Sequence, residues 1–292
     1  MEKTTEILLK MLERMGPVNI VKENMGETLE QKSKRFQEAR NYKVNVDKYI
    51  LVHVDGRSFS KLIKSKFNKP FDKDFIDMMN KTAIFLCENV QGAKIAYVQS
   101  DEITLLLKKD TPEGDVFFGG RLCKMQSIIA SLATSEFNRH YIRYNIFNKD
   151  DWSEYGISDL DDELCDLKLA QFDCKVWDVD TANDAFAWFL FRNIDCVKNS
   201  KQQFAQTYLS HKELLNLNAD EQIAKAMNEK GVDWNQCPQD QRFGRVISKE
   251  EFEFVGPDGA PYMRSRWVAH DGVDLTDLPT RDEFKNKYEF FK

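Results

Sequence analysis

The feature that most limits the fold is a short apolar segment, residues 49–55, which reads Tyr-Ile-Leu-Val-His-Val-Asp. An almost unbroken apolar run of this length is typical of a strand covered on both faces, because a half-exposed strand alternates apolar with polar residues. Asp55 and Gly56 end the run, and an Asp-Gly pair favours a turn. The sequence therefore predicts a buried strand that brings a carboxylate to one edge of a sheet.

The flanking sequence predicts the helices and strands that cover this segment. Apolar residues recur at helical spacing over residues 72–90, 121–139 and 181–209. Strand patterns occupy residues 93–98, 103–107, 167–179, 251–255 and 262–268. This order predicts an α+β fold with helices on one face of an antiparallel sheet.

Composition and missing motifs narrow the chemistry. The 292-residue chain has 42% hydrophobic residues, enough for a folded core, and a formal net charge of -6. Its six cysteines form no CxxC pair and its four histidines are scattered, which disfavours a zinc site. No GxSxG, GxGxxG or phosphate-loop motif occurs. Uncharged runs are too short for a membrane helix and the first residues lack a signal-peptide pattern, so we expect a cytoplasmic protein without a membrane partner.

Two acidic elements are the main candidates for chemistry. Asp55 ends the buried strand, whereas Asp101 and Glu102 lie between two strands that would pair with each other. If the first strand is central and adjoins that hairpin, the carboxylates converge at one edge of the sheet. Such a cluster repels itself unless a cation such as Mg²⁺ neutralises it, and Gly56 allows a backbone carbonyl to approach the ion. The alternative is that both elements are ordinary surface turns.

Basic residues near these elements are candidates for holding a triphosphate. Arg57 follows the Asp-Gly pair, Lys69 precedes a proline, and Arg121 and Lys124 lie at a predicted helix start. Free N–H groups and the helix dipole favour anions at such a position. The alternative for Arg121 and Lys124 is that they only solvate the polar face of that helix.

Several short motifs occur in order over roughly residues 30–250. They are His53-Val-Asp-Gly-Arg-Ser-Phe59, Lys69-Pro70, Ala96-Tyr-Val-Gln-Ser-Asp-Glu102, Gly120-Arg121 with Lys124, Ala130-Ser131, Phe172-Asp173 with Lys175, Phe191-Arg192 with Asp195, Lys198-Asn199-Ser200 and Leu209-Ser-His-Lys-Glu213. Together they resemble the tRNA-His guanylyltransferase superfamily, whose members add nucleotides to RNA 5′ ends in the 3′→5′ direction. The combination of Asp-Gly-Arg with Gln-Ser-Asp-Glu is specific.

The resemblance implies a catalytic core like the palm of polymerases and assigns roles to individual residues. It implies two Mg²⁺ held by Asp55, the Gly56 carbonyl and Asp101, with Glu102 beside them as a further catalytic residue. The implied substrates are ATP or GTP and an incoming nucleoside triphosphate. The implied nucleotide contacts are Asp55, Gly56, Arg57, Ser58, Phe59, Ser60, Lys69, Ser100, Arg121, Lys124, Arg192, Lys198 and Asn199. The implied organisation is an N-terminal extension (1–30), a palm-like core (31–180), and C-terminal helices with a hairpin (181–292), packed as one catalytic unit.

One departure selects a branch of the superfamily. Asp195-Cys196 is followed by Val-Lys-Asn-Ser, without the His-Ile-Asn-Asn-Leu-Tyr-Asn motif of the eukaryotic guanylyltransferases. The chain is more similar to the guanylyltransferase-like branch, which implies template-directed repair of 5′-truncated tRNA, with ATP or GTP activating a 5′-monophosphate. Addition of G−1 to tRNA-His, a palm-type nucleotide cyclase and a catalytically inactive RNA-binding protein remain alternatives.

The acidic net charge raises the question of how such a chain binds RNA, whose affinity comes largely from phosphate neutralisation. Basic residues concentrated on one face would answer it, as would a basic groove between subunits of the homotetramer that the resemblance implies. In the C-terminal hairpin, Tyr262, Arg264, Arg266 and Trp267 could stack on RNA, and the alternative is ordinary hairpin packing.

Overall fold

A computed structural model describes residues 28–38, 41–147, 167–257 and 259–291. The chain divides into two units, Met1–Tyr42 and Lys43–Lys292. In the first, the helix α1 spans Leu29–Glu38. Residues 148–166 and most of the predicted N-terminal extension lie outside the described residues.

The second unit contains the remaining helices and all strands of the described chain. The strands are β1 (Tyr49–Gly56), β2 (Ala93–Gln99), β3 (Glu102–Leu107), β4 (Phe172–Val179), β5 (Arg245–Val255) and β6 (Pro261–Asp271). The helices are α2 (Phe59–Lys66), α3 (Lys73–Asn89), α4 (Leu122–Phe147), α5 (Ala182–Tyr208), α6 (His211–Leu214), α7 (Ala219–Lys230), α8 (Gln239–Phe243) and α9 (Leu278–Lys287). Single 3₁₀ turns occupy Phe117–Gly120, Trp234–Gln236 and Glu289–Phe291.

The strands form one six-stranded antiparallel sheet in the order β4-β1-β3-β2-β5-β6. β1 lies between β3 and β4, and its residues 50–54 are buried, which confirms the central buried strand predicted from residues 49–55. β2 and β3 form the predicted hairpin, so the turn at residues 100–101 lies beside the end of β1.

Helices cover both faces of the sheet, and the expectation of helices on one face is wrong in this respect. Val52 and Val54 point toward a core shared with α3 and α4, whereas Leu51 points toward a second core shared with α5 and α9. The reason lies in β1 itself, because successive side chains point to opposite faces and an unbroken apolar strand needs cover on both. The mixed antiparallel α+β class is confirmed.

Local signals fixed the start of the main helices more closely than their ends. Asp72 caps α3 through bonds from two backbone amides, and Thr181 with Asp184 forms a capping box at the start of α5. α4 continues to Phe147, beyond the predicted end at residue 139.

No helix in the described part of the chain is long and apolar enough to cross a membrane.

Candidate active site at the end of β1

Three carboxylates lie side by side across the ends of β3, β1 and β4. Asp55 is the register partner of Glu102 on one side and of Asp173 on the other. Cross-strand partners point to the same face of a sheet, so the three side chains form a short acidic row. The row lies on the face covered by α5, because Leu51 and Asp55 are separated by an even number of residues.

A fourth carboxylate, Asp101, reaches the same edge from the β2–β3 turn. The backbone N–H of Gly56 donates to the carbonyl of Asp101 at 3.1 Å, which ties the turn to the end of β1. A Cβ added to Gly56 would lie 2.8 Å from Oδ2 of Asp101 and 2.4 Å from Cδ2 of Phe59. Only glycine therefore fits between the Asp101 carboxylate and the Phe59 ring.

Burial and the neighbouring charges raise the pKa values of Asp55 and Asp101. Burial is the main cause that raises the pKa of Asp55, and the charges of Glu102 and Asp173 add to it. Burial also raises the pKa of Asp101 to about 6, although a hydrogen bond from the Ser100 hydroxyl at 2.9 Å partly opposes this. Two carboxyl groups with raised pKa values at one edge indicate a site that a cation would stabilise.

Glu102 differs from its neighbours because it has a cationic partner. The Arg192 guanidinium on α5 donates to Glu102 and, at 3.1 Å, to Asp195. Asn199, one turn further along the helix, also donates to Asp195 at 3.1 Å. Arg192 is 8% exposed, so this network is a largely buried link between α5 and the acidic row. In this structure Arg192 positions Glu102 and lies outside the cleft wall described below.

Two residues in the turns around the site adopt left-handed backbone conformations. Ser58 has φ 59° and Ser100 has φ 44°, values that are uncommon for residues with a side chain. Phe59, 1% exposed, packs against the rings of Phe137 (5.2 Å between centroids) and Phe172 (4.9 Å). Phe59 therefore anchors the loop after β1 in the core and holds this tight turn in place.

A cleft of about 410 Å³ opens beside the acidic edge. Its volume falls within the usual range for small-molecule sites. The N-terminus of α2 forms part of its wall, which favours an anionic ligand. Residues of the predicted site that line it are Gly56, Ser58, Phe59, Ser60, Lys69, Ser100, Asp101, Glu102 and Asn199.

The remaining predicted residues lie outside the cleft wall. Arg57 is exposed and bonds to Gln171 at 3.3 Å, and Lys198 is exposed on α5. At the start of α4, Arg121 donates to the carbonyl of Phe118, and the ammonium of Lys124 lies 5.7 Å from the centre of the Phe118 ring. The structure thus does not bring Arg57, Arg121, Lys124 and Lys198 to the cleft, and Asp55 lies beside the cleft without lining it.

Sequence reasoning missed other residues of this site. Asp173 was noticed only as part of a motif, and only the register of β4 against β1 brings it beside Asp55. Arg245 and Gln241 line the cleft from the C-terminal part of the chain. They could not be found because no local pattern shows that β5 adds to the edge of β2.

The residues present fit Mg²⁺ better than a softer metal. Among the described residues, no group of three or more His, Cys, Asp and Glu side chains has the geometry to hold a metal by itself. Mg²⁺ needs no such group, because it is usually held by one or two carboxylates with waters and substrate phosphates. Asp55, Asp101 and the Gly56 carbonyl supply oxygen ligands of this kind.

His53 is excluded as a general base at neutral pH by its surroundings. It is 6% exposed, contacts Thr104 at 3.2 Å and packs edge-on against Trp188. Burial, with the charge of Arg192 adding to it, lowers the pKa of His53 to about 4. It is a neutral core residue behind the acidic row.

An acidic strand edge, a cleft suited to an anion and oxygen ligands for Mg²⁺ together define a class of enzyme that handles nucleotides or phosphates. Comparison with family models matches residues 30–180 to the model Thg1, tRNAHis guanylyltransferase. The chain belongs to this family, whose members are tRNA guanylyltransferases and thus nucleotidyltransferases. The superfamily and enzyme class predicted from the motifs are confirmed.

Relatives differ in how much of their length is matched. An uncharacterised protein, R259, of Acanthamoeba polyphaga mimivirus is 29% identical over 80% of this chain and 79% of its own. A probable tRNA(His) guanylyltransferase of Dictyostelium discoideum is 35% identical over 97 residues, which are 33% of this chain and only 36% of that protein.

Solved structures match over nearly the whole chain. A bacterial tRNA(His) guanylyltransferase-like protein in complex with ATP is 28% identical, with a TM-score of 0.73 over 91% of this chain and 99% of that one. A bacterial complex of the same kind with GTP is 26% identical, with a TM-score of 0.69 over 90% and 99% of the two chains. The match to the guanylyltransferase of Saccharomyces cerevisiae, at 18% identity and a TM-score of 0.60, supports the fold alone.

Proposed function

We propose that this protein is a template-directed 3′→5′ nucleotidyltransferase that repairs the 5′ end of truncated tRNA. The observation that carries the proposal is the convergence of Asp55, Gly56 and Asp101 beside a cleft that favours an anion. Family membership supports nucleotide transfer to tRNA, and the bacterial guanylyltransferase-like structures bound to ATP and GTP support the substrates. The absent His-Ile-Asn-Asn-Leu-Tyr-Asn motif favours repair over G−1 addition.

The proposed reaction has two phosphoryl-transfer steps. A 5′-monophosphate on the RNA attacks ATP or GTP, and pyrophosphate leaves. The 3′-hydroxyl of an incoming nucleoside triphosphate then attacks the activated 5′ phosphorus, loses its proton and displaces AMP or GMP. An RNA that already carries a 5′-triphosphate skips the first step and releases pyrophosphate in the second.

The residues of the chain orient these groups. Lys69 and the N-terminal amides of α2 bind phosphate oxygens at the cleft, and the tight turns at Ser58 and Ser100 fix the wall around them. In their ionised forms Asp55 and Asp101 would supply oxygen ligands, and burial raises the pKa of Asp101 to about 6. Glu102, held by Arg192, keeps the acidic edge in register. Bound Mg²⁺, two ions per site, would neutralise the carboxylates and phosphates and lower the pKa of the attacking hydroxyl.

The test follows the length of a labelled RNA. A tRNA transcript that lacks its 5′-terminal nucleotide is incubated with Mg²⁺ and all four nucleoside triphosphates. The native protein is compared with Asp55→Ala, Asp101→Ala and the control Asp110→Ala, which removes a surface carboxylate bonded to Lys94. Extension that matches the opposite base, survives in the control and is lost in the other two variants supports the proposal. Failure of the folded native protein to extend any truncated tRNA contradicts it.

Two further substrates separate the alternatives. Transfer of a single G to full-length tRNA-His, without use of a template base, would identify a G−1 transferase instead. Nucleoside triphosphate alone, without RNA, would give a cyclic product if the site is a cyclase. No turnover with either substrate, together with tight RNA binding, would identify an inactive RNA-binding protein.

We also propose that the enzyme acts as a homotetramer, which the family resemblance implies, and that it acts in the cytoplasm, as the sequence analysis leads us to expect. A tetramer would answer the problem of an acidic chain that binds RNA, since subunits can form a basic groove between them. Light scattering on the purified protein tests the assembly, with an expected mass four times the 34.1 kDa chain. Fractionation of cells with a compartment-specific antibody control tests the location.

A further inference from the structure

Arg245 is a buried cation without an anionic partner. It begins β5, is 5% exposed and forms part of the wall of the cleft. Its Nε donates to the side-chain oxygen of Asn80 at 3.0 Å, and its Nη2 is enclosed without a hydrogen-bond partner. In residues 28–38, 41–147, 167–257 and 259–291, no carboxylate lies within ion-pair distance of it. The guanidinium remains charged in spite of this burial.

An unpartnered charge of this kind is costly to bury. Arg192, the other buried arginine near the site, forms ion pairs with Glu102 and Asp195, whereas Arg245 bonds to the neutral Asn80 and interacts with the carboxylate of Asp240 only beyond ion-pair distance. Removing a buried charge from water costs several kcal/mol unless a partner compensates it. The missing compensation points to an anion that binds in the cleft.

The position of Arg245 places it close to the reacting groups. It is the register partner of Val98 on β2, and the Gln99, Ser100 and Asp101 segment follows directly. Lys69 and Arg245 are the two cationic residues in the cleft wall as far as the described chain shows. Ser200 also lines the cleft, and because its Oγ accepts from Trp234 at 2.9 Å, its own proton is left to donate to a ligand.

We propose that Arg245 binds a phosphate group of a nucleotide held in the cleft, as a second cationic anchor besides Lys69. The inference rests on the proposed function, since it takes the cleft to be a nucleotide site. A guanine base would offer acceptors to a guanidinium but no charge. A phosphate offers both, and arginine binds it through two parallel hydrogen bonds.

The experiment measures binding of inorganic tripolyphosphate, GTP and guanosine by calorimetry. Arg245→Met removes the charge and keeps most of the apolar stem, whereas Lys249→Met is a matched control on the exposed part of β5. We expect Arg245→Met to weaken tripolyphosphate and GTP about tenfold or more, the effect of one lost charged hydrogen bond. Guanosine binding and Lys249→Met should be unchanged, and the ligand-free Arg245→Met protein should melt no lower than the native one.

A second variant keeps the arginine and supplies the missing partner. Asn80→Asp places a carboxylate beside Nε, so it should raise the melting temperature of the ligand-free protein and weaken tripolyphosphate. If Arg245→Met fails to fold, Asn80→Asp alone tests whether Arg245 binds a phosphate group. Unchanged tripolyphosphate affinity in either folded variant overturns the inference, as does an equal loss of guanosine binding. A native protein that binds tripolyphosphate through Arg245 but extends no tRNA would instead contradict the proposed function.

Discussion

At the scale of single residues, the carboxylates of the acidic edge lower the free energy of unfolding of the protein. Asp101 is the clearest case, because it is enclosed beside Gly56 with a pKa raised to about 6. Between its ordinary value near 4 and about 6, the folded state binds more protons than the unfolded state. The free energy of unfolding therefore falls as pH rises through this window, and the full penalty is present above pH 6.

Asp101→Asn should remove this penalty and the activity together. In EDTA at pH 7.5 we expect the variant to be more stable than the native protein by on the order of 1–3 kcal/mol, and the difference to vanish near pH 4. Urea titration at both pH values measures it. Asp110→Asn is the control, and we expect it to lower the free energy of unfolding at pH 7.5. The reason is that the Lys94 hydrogen bond lowers the pKa of Asp110 and so favours the folded state. A variant that is less stable than the native protein at pH 7.5 would contradict the prediction.

Gly56→Ala should destabilise the protein because the new methyl group overlaps the Phe59 ring. That ring cannot move easily, since Phe137 and Phe172 pack against it. We expect a loss of about 1–3 kcal/mol in unfolding free energy, typical of overpacking, with loss of transfer activity. Phe59→Leu makes room for the methyl group, so the double variant should lose less than the sum of the two single changes. Additive losses in the double-mutant cycle would show that this overlap is not the cause.

At the scale of elements, the outer part of the β5–β6 hairpin is separate from the core. Only residues 245–247 of β5 pair with β2, and the pairs beyond Ser248 and Val268 have no further strand beside them. On one face the Arg264 guanidinium lies 4.0 Å from the centre of the Phe254 ring, and Arg266 lies over Phe252 at 5.1 Å. These contacts are hairpin packing, and stacking of the hairpin on RNA stays a prediction.

Shortening this hairpin should leave the fold intact. Replacing residues 252–264 with a two-residue Asn-Gly turn removes no residue of the two main apolar clusters. We expect the melting temperature to stay within about 2 °C, because the loss is confined to surface contacts. Differential scanning calorimetry measures this, and Trp267→Ala, which removes a ring packed against the first cluster, is the destabilising control. A large drop in the shortened protein would show that the hairpin supports the core.

Sequence patterns predicted the elements of the site but not its assembly. The apolar run at 49–55, the hairpin pattern and the helical spacing over residues 72–90 and 181–209 are local, and each predicted its element. Helices α2, α7 and α9 were missed, since α2 is short and α7 and α9 are largely polar. The placements of Asp173 and Arg245 depend on which strands pair, and pairing between distant segments leaves no local signal.

At the scale of the whole molecule, the proposed binding of Mg²⁺ should also stabilise the folded protein. A ligand that binds only the folded state raises its stability, and carboxylate ligands bind metal only when deprotonated. We expect millimolar Mg²⁺ to raise the melting temperature by roughly 2–5 °C at pH 7.5 and by less at pH 5. Asp55→Asn with Asp101→Asn should abolish the difference. An equal rise in melting temperature at both pH values, or an undiminished rise in this double variant, would show that Mg²⁺ binds at another site.

The order of strands in the sheet also has a consequence for synthesis on the ribosome. The strand that carries Asp55 and the β2–β3 turn that carries Asp101 emerge early, but β2 receives its outer neighbour only when residues 245–247 are made. Until then the nascent chain exposes an apolar strand edge, which is a template for aggregation. We therefore expect chains that stop before β5 to require chaperones and to fail to accumulate in soluble form, even though they contain the whole acidic edge.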